Sequence, residues 1–377
     1  MNHTAIDTRR RRPRRRRVLP FVLVGLVVAL IYPTVTYVRA LTWPGNAGIG
    51  VRTVDWLRDD MGAGAVVNTV ENWWYSRHPP SAGPPAADTV PRHGTPPAAV
   101  RADHPADLPT PGDLPGEGVW VPADRQGALY TTFFQPDLAH GSVLAGAAWF
   151  NQDLVRGRLI AGTKEPARDP NAPGEVPPSL LPRLTAVFNA GFKMVDAHGG
   201  AFLDQHQIVP LRDGAASAVV HRDGRITVDQ WGRDARLSAD VVSVQQSLDL
   251  IVDHGQAVPG LDVNRDARWG SARSQFQYTW RSGLGTDAAG HLIYVAGNDL
   301  TLATLASAMA QVGIDRGMQL DIHPNMVSCN IFDGQTPHRL LPAMPSPANR
   351  YLSTDLRAFF AITLRTHQTG SPSSSRQ

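Results

Sequence analysis

Residues 277–322 constrain the fold most, because a strand, a tight turn, a second strand, a capped helix and a third strand can be read from them in order. Tyr278, Thr279 and Trp280 suit a pleated, half-buried surface, and Thr286-Asp287-Ala288-Ala289-Gly290 carries turn chemistry that closes a hairpin onto residues 291–296. Asp299 or Thr301 then caps a helix in which Leu302, Leu305, Met309 and Val312 recur at helical spacing, with Gly313 just past its end. Residues 318–322 form the next strand. A strand, helix, strand unit of this kind returns to the same sheet as a right-handed crossover. The last strand delivers Asp321-Ile322-His323-Pro324-Asn325, a carboxylate and an imidazole at the end of a strand, where ligands of open α/β sheets collect. The same topology is expected to bring the corner Arg281-Ser282-Gly283 toward Asp321.

From about residue 116 the chain is a succession of short β segments, at 128–134, 142–150, 185–192, 201–203, 208–211, 216–221 and 226–230. Asp213-Gly214 and Asp223-Gly224 are hairpin turns, so the later segments form a meander. Residues 242–252 read as one strand or a strand pair, His254-Gly255 as a turn into Ala257-Val258, and residues 356–364 as a closing strand. The expected class is α+β, a mixed β-sheet domain with a hairpin meander and a hairpin, helix, strand crossover. A hydrophobic content of 42% is enough for its core.

The formal charge of +3 hides an asymmetry: eight arginines against Asp7 give residues 1–17 a net +7, leaving the rest of the chain at −4. The arginine block is followed by residues 18–38, which are mostly apolar and carry no charge. That length suffices to cross a bilayer, so the sequence predicts a single transmembrane helix acting as a signal anchor, with a cytoplasmic tail at 1–17 and an extracellular C-terminal domain. A long cleavable signal peptide is the alternative. Residues 39–75 read as a short amphipathic helical segment, packed at the membrane surface or on the domain. Residues 76–115 hold eleven prolines and read as an extended linker, 116–366 as the main domain, and 367–377 as a loose tail. The single Cys329 rules out an internal disulfide and reads as a buried, inert thiol. An acidic main domain argues against nucleic acid as a partner, and the oligomeric state is open.

The ordered set Phe188-Asn189-Ala190-Gly191-Phe192, His221-Arg222-Asp223-Gly224, Arg281-Ser282-Gly283-Leu284-Gly285 with Gly290, the helix at Thr301 and the strand ending in Asp321 resembles the phosphodiester glycosidase family over roughly residues 116–365. The resemblance implies a hydrolase that cleaves sugar 1-phosphodiesters; with the expected anchor, its substrates would be envelope glycans or glycolipids. One departure stands out. The family has Asp-Gly-Gly-Gly-Ser where this chain has Asp321-Ile322-His323-Pro324-Asn325. Proline removes a backbone donor and Ile322 adds bulk where glycines would let amides approach an anion. A catalytically inactive relative that binds such glycans, or scaffolds an envelope complex, is therefore the alternative.

Cleavage at an anomeric carbon with a phosphate leaving group needs little protonation of the leaving oxygen, so the usual carboxylate pair can reduce to one. On this reading Asp321 is the nucleophile, general base or oxocarbenium stabiliser, Arg281 binds phosphate through its guanidinium fork, and His323 serves as acid or base. Asn189, Gly191, Lys193, Ser282, Gly285 and Asn325 are the candidate substrate contacts. Each has a structural alternative: a turn cap or ion pair for Asp321, a salt bridge for Arg281, strand-end backbone bonds for Asn189 and a hydrogen-bonded surface position for His323. His198, His206 and His254 form no recognised ligand spacing, so neither a metal nor another cofactor is expected.

Overall fold

The computed structural model describes residues 18–45, 47–91, 104–109, 114–124, 126–271 and 275–366. The arginine-rich stretch 1–17, the tail 367–377, and residues 92–103 and 110–113 of the proline-rich linker lie outside the described residues. The chain divides into two compact units, residues 1–43 with 48–67, and residues 44–47 with 68–377.

In the first unit, helix α1 (Val18–Thr42) is followed by α2 (Ile49–Asp59). Here the structure corrects the sequence reading: among the described residues no helix is long and apolar enough to cross a membrane. The single-pass anchor at residues 18–38, its bilayer contact and the extracellular placement built on it do not stand. The described turns of α1 carry Tyr32, Thr36, Tyr37 and Arg39 among exposed apolar residues, and polar contacts tie them to α2. Tyr37 and Thr53 share a hydrogen bond of 3.0 Å, and Trp56 Nε1 donates to Thr36 Oγ1 at 2.9 Å. Arg52 Nη1 reaches the carbonyls of Ala40, Leu41 and Trp43 at the C-terminal end of α1, where a cation offsets the orphan carbonyls.

Helix α3 (Gly64–Ser76) gives its residues from Asn68 onward to the second unit, which is built on three sheets. The largest has eight strands, ordered β1 (Val121–Pro122), β2 (Leu129–Phe134), β3 (Ala145–Phe150), β14 (Leu292–Leu300), β13 (Thr279–Asp287), β15 (Ile314–Ile322), β11 (Leu250–Asp253) and β12 (Gln256–Ala257). The meander gives a second sheet, ordered β7 (His206–Val209), β6 (Ala201–Leu203), β10 (Val241–Gln246), β8 (Ala216–His221) and β9 (Ile226–Gln230). The third is ordered β17 (Thr336–Arg339), β16 (Cys329–Asp333), β5 (Leu184–Asn189), β18 (Phe359–Leu364) and β4 (Val155–Ile160). A short helix, α4 (Met194–Ala197), follows β5.

The crossover unit forms as the sequence predicts. Thr301 is the residue that caps helix α5 (Leu302–Gln311), accepting from Thr304 N at 3.2 Å, and Gly313 takes φ +84° just past its end. Strands β14 and β15 run the same way with β13 hydrogen-bonded antiparallel between them, so α5 carries the chain across one strand of the same sheet.

Strand alternation divides the apolar residues between two cores. On β14, Leu292, Tyr294 and Ala296 enter the core enclosed by the sheets, while Ile293 and Val295 join Leu302, Leu305, Ala306 and Met309 of α5 on the other face. Because both faces of β3 and of residues 292–296 of β14 are covered, these stretches read as apolar runs. Glycines make room for the helix and the strand after it: a Cβ on Gly283 would lie 2.3 Å from Met309 Sδ of α5, and one on Gly285 2.3 Å from Ile314 Cγ2 of β15.

Candidate functional site

Two strand ends meet inside the second unit. Strand β5 ends on Asn189 and strand β15 carries Asp321 one residue before its end; both side chains are buried. Alternation alone would place Asp321 on the α5 side with Gln319. The ladder prevents it: Arg281 pairs with Ile322 and Gly283 with Gln319, so two steps along β13 oppose three along β15. The extra residue is a β-bulge, which re-aims a side chain locally. Leu320 thereby stays in the enclosed core, and Asp321 turns to Asn189.

Every hydrogen-bonding valence of the Asn189 amide is used. Its nitrogen donates to Asp321 Oδ2 at 2.8 Å and to Ser282 Oγ at 3.0 Å, and its oxygen accepts from Tyr294 Oη at 2.8 Å and Ser328 N at 3.1 Å. The two donors facing the oxygen fix the orientation of the amide, since a flipped group would oppose N–H to N–H. Ser282 Oγ also accepts from Asp321 N at 3.2 Å, closing the network. Burial pushes the Asp321 carboxyl up to about 6. The Arg357 guanidinium, the Asn189 hydrogen bond, Arg350 and the Gly191 N–H all favour the carboxylate and oppose that rise.

The structure therefore brings Asn189, Gly191 and Ser282 to Asp321, and it places the other candidates elsewhere. Arg281 neighbours Ser282 and points to the opposite face of β13. It is fully buried, with Nε donating to Leu300 O at 2.6 Å, Nη1 to Gln275 Oε1 at 2.9 Å and Nη2 to Gln277 O at 3.1 Å. Burial pushes its guanidinium down to about 9, with only the Tyr75 phenol acting against that. Gly285 packs under Ile314 and Arg316, and Lys193 is buried at the start of α4, where Met194 N donates to Glu165 Oε2 at 3.1 Å. His323 stacks on Tyr75 with ring centroids 6.2 Å apart, and its Nε2 lies 3.8 Å from Glu71 Oε2. Its φ of +79° is left-handed, at the place of the second glycine in the family pattern, so the altered loop keeps a glycine-like bend without the glycine. Asn325 offers its carbonyl to Arg350 Nη1 at 3.0 Å. Cys329 is buried, and its thiol is pushed upward by burial alone.

The sequence reading missed Arg350, Arg357, Tyr294 and Ser328. Their only sequence signal is weak, a pair of arginines around Asp355 shortly before the closing strand.

Residues 183–321 match the phosphodiester glycosidase family. The matched stretch runs from the turn before β5 to Asp321, and so includes Asn189, Ser282 and Asp321. Among solved structures, the catalytic domain of the zebrafish N-acetylglucosamine-1-phosphodiester alpha-N-acetylglucosaminidase, auto-inhibited by its pro-peptide, is similar at 15% identity and a TM-score of 0.43, covering 63% of this chain and 84% of that one. A hypothetical protein from Synechocystis is similar at 13% identity and a TM-score of 0.37, covering 63% of this chain and 62% of that one. No curated protein matches the chain significantly. The similarity to the phosphodiester glycosidase family thus covers the stretch from β5 to β15 that carries the candidate site.

Proposed function

We propose that this protein hydrolyses glycosyl phosphodiesters at the anomeric carbon, with Asp321 as its acid–base or nucleophilic group. The observation that carries the reading is the buried Asn189–Asp321 hydrogen bond around a carboxyl raised to about 6. A carboxyl in that range changes protonation near neutrality, which suits a group that must give and take a proton or attack as the anion. In the reaction the C1–O bond to phosphate breaks, the phosphate leaves as a monoester anion, and water supplies the hydroxyl to C1 and a proton to the released products. The Asn189 amide holds the carboxylate, and Ser282 fixes that amide and the Asp321 main chain, which lowers the reorganisation needed as charge develops at C1.

The reading of glycan binding without turnover draws on Ile322 and Pro324, which stand where the family pattern has glycines. Incubating the full chain with a panel of sugar 1-phosphodiesters separates the two. Release of free sugar by wild type and not by Asp321→Asn supports hydrolysis; saturable binding with no turnover across the panel refutes it.

A further inference from the structure

A phosphodiester bound beside Asp321 brings a negative charge to an enclosed site, and Arg281 is committed to carbonyl and amide oxygens on the far face of β13. Another cation is placed to meet that charge. In the ladder between β5 and β18, Asn189 pairs with Phe359, and Ala190 N then donates to Ala358 O at 3.3 Å. Arg357 is the next residue outward, and its guanidinium acts on the same Asp321 carboxyl that the Gly191 N–H reaches. From the other side, Met326 in the turn after Asp321 meets Arg357, with Nη2 to the sulfur at 3.5 Å. Arg357 therefore stands between the Asn189-Ala190-Gly191 strand end and the loop that follows Asp321.

The backbone of Arg357 is held from two directions. Asp355 accepts from Arg357 N at 2.9 Å and from Arg350 Nε at 2.7 Å, so that carboxylate is spent on Arg350 and on the main chain. Residues 163–165 add bonds from Thr163 N to Asp355 O at 3.0 Å and from Lys164 N to Leu356 O at 3.0 Å. A Cβ on Gly162 would lie 2.4 Å from the Arg357 carbonyl carbon, so only a glycine lets that loop pass. Among the described residues, no carboxylate forms an ion pair with the half-buried Arg357 guanidinium, and the carboxyl it acts on through space is Asp321 itself. A fixed backbone carrying a guanidinium that, among the described residues, donates only to a thioether is an arrangement suited to an incoming anion.

We propose that Arg357 is the anion-binding residue of the Asp321 site, its guanidinium fork receiving the non-bridging oxygens of a phosphodiester. The identity of the anion rests on the glycosidase reading, and the choice of residue rests on geometry.

The test is a titration of the full chain with inorganic phosphate near neutral pH, followed by calorimetry and by the Asp321 carboxyl carbon resonance. Wild type is expected to bind phosphate, and the Asp321 titration to move to higher pH when phosphate is bound, because a second negative charge disfavours the carboxylate. Arg357→Gln is expected to weaken binding by about tenfold or more, and Arg357→Lys, which keeps the charge without the fork, to fall between the two. If the Gln variant does not fold, the Lys variant and the wild-type resonance shift still decide. No phosphate binding by wild type, or equal affinity in wild type and the variants, overturns the assignment. Phosphate binding that depends on Arg357 in a protein releasing no sugar would keep the assignment and refute the hydrolase reading. Sugar release with the same KM in wild type and Arg357→Gln would do the reverse.

Discussion

Asp321 is a buried carboxyl hydrogen-bonded to Asn189, and its environment moves its protonation toward neutral pH. Its folded-state value of about 6 lies above the ordinary 3.8. Below the ordinary value the group is protonated in both states and costs nothing; between the two values the unfolded state ionises while the folded state keeps its proton, so stability falls as pH rises and levels off once the folded carboxyl also ionises. At about 1.4 kcal/mol per pH unit this amounts to roughly 3 kcal/mol. Asp321→Asn is therefore expected to gain roughly 3 kcal/mol relative to wild type between about pH 4 and pH 7, measured by urea unfolding at each pH. If the carboxylate is the working form, sugar release by wild type should rise through a limb near 6, and a flat pH profile across that range would exclude Asp321 as the titrating group. Arg281 invites a different expectation. It satisfies carbonyls of Leu300 and Gln277 inside the fold, so Arg281→Met should cost about 3 kcal/mol in unfolding by leaving them unpaired, whatever it does to turnover.

At the scale of elements, the glycines of Arg281-Ser282-Gly283-Leu284-Gly285 acquire a physical explanation. Helix α5 lies so close to β13 that Met309 occupies the space of a Cβ on Gly283, and Ile314 at the start of β15 does the same at Gly285. Gly283→Ala should destabilise by about 1–3 kcal/mol, and Met309→Ala by about 2–5. The double variant should be less destabilised than their sum by more than about 0.5 kcal/mol, because the new methyl enters the cavity left by the thioether. A double-mutant cycle in denaturant measures this, and additivity would mean that the two elements do not share the space. The same closeness explains why β13 could be read as a strand from its flanks, Thr279 and Trp280, while its glycines gave no clue to the helix they face. The Asp355–Arg350 pair links elements in another way, since Arg350 Nη1 also holds the carbonyls of Asn325 and Met326. Asp355→Ala should cost about 3–5 kcal/mol and raise hydrogen exchange in the turn after Asp321.

For the molecule as a whole, the hairpin, the capped helix, the crossover and most of the meander were legible because each depends on neighbours in sequence: turn residues, a cap, an apolar period. Strands β4, β16 and β17 escaped, since Arg156 and Arg158 interrupt the first and the others are short and polar at their ends. The apolar run at 18–38 led to a transmembrane reading that the structure does not support, because composition does not reveal what a helix packs against. Strands covered on both faces, β3, β13 and β14, should be the most protected in hydrogen exchange, and the exposed edge strands β7, β12 and β17 the least. The sequence by itself determined Asp321 at a strand end, Asn189 at another, and the local elements that carry them. Only the tertiary structure decided that these residues, 132 positions apart, share a hydrogen bond, that a bulge turns Asp321 toward Asn189, that Ser282 and not Arg281 faces them, and that Arg357 stands nearby. The reason is physical: a side chain's direction follows from register and bulges in ladders between distant strands, and no local pattern of residue types encodes that pairing.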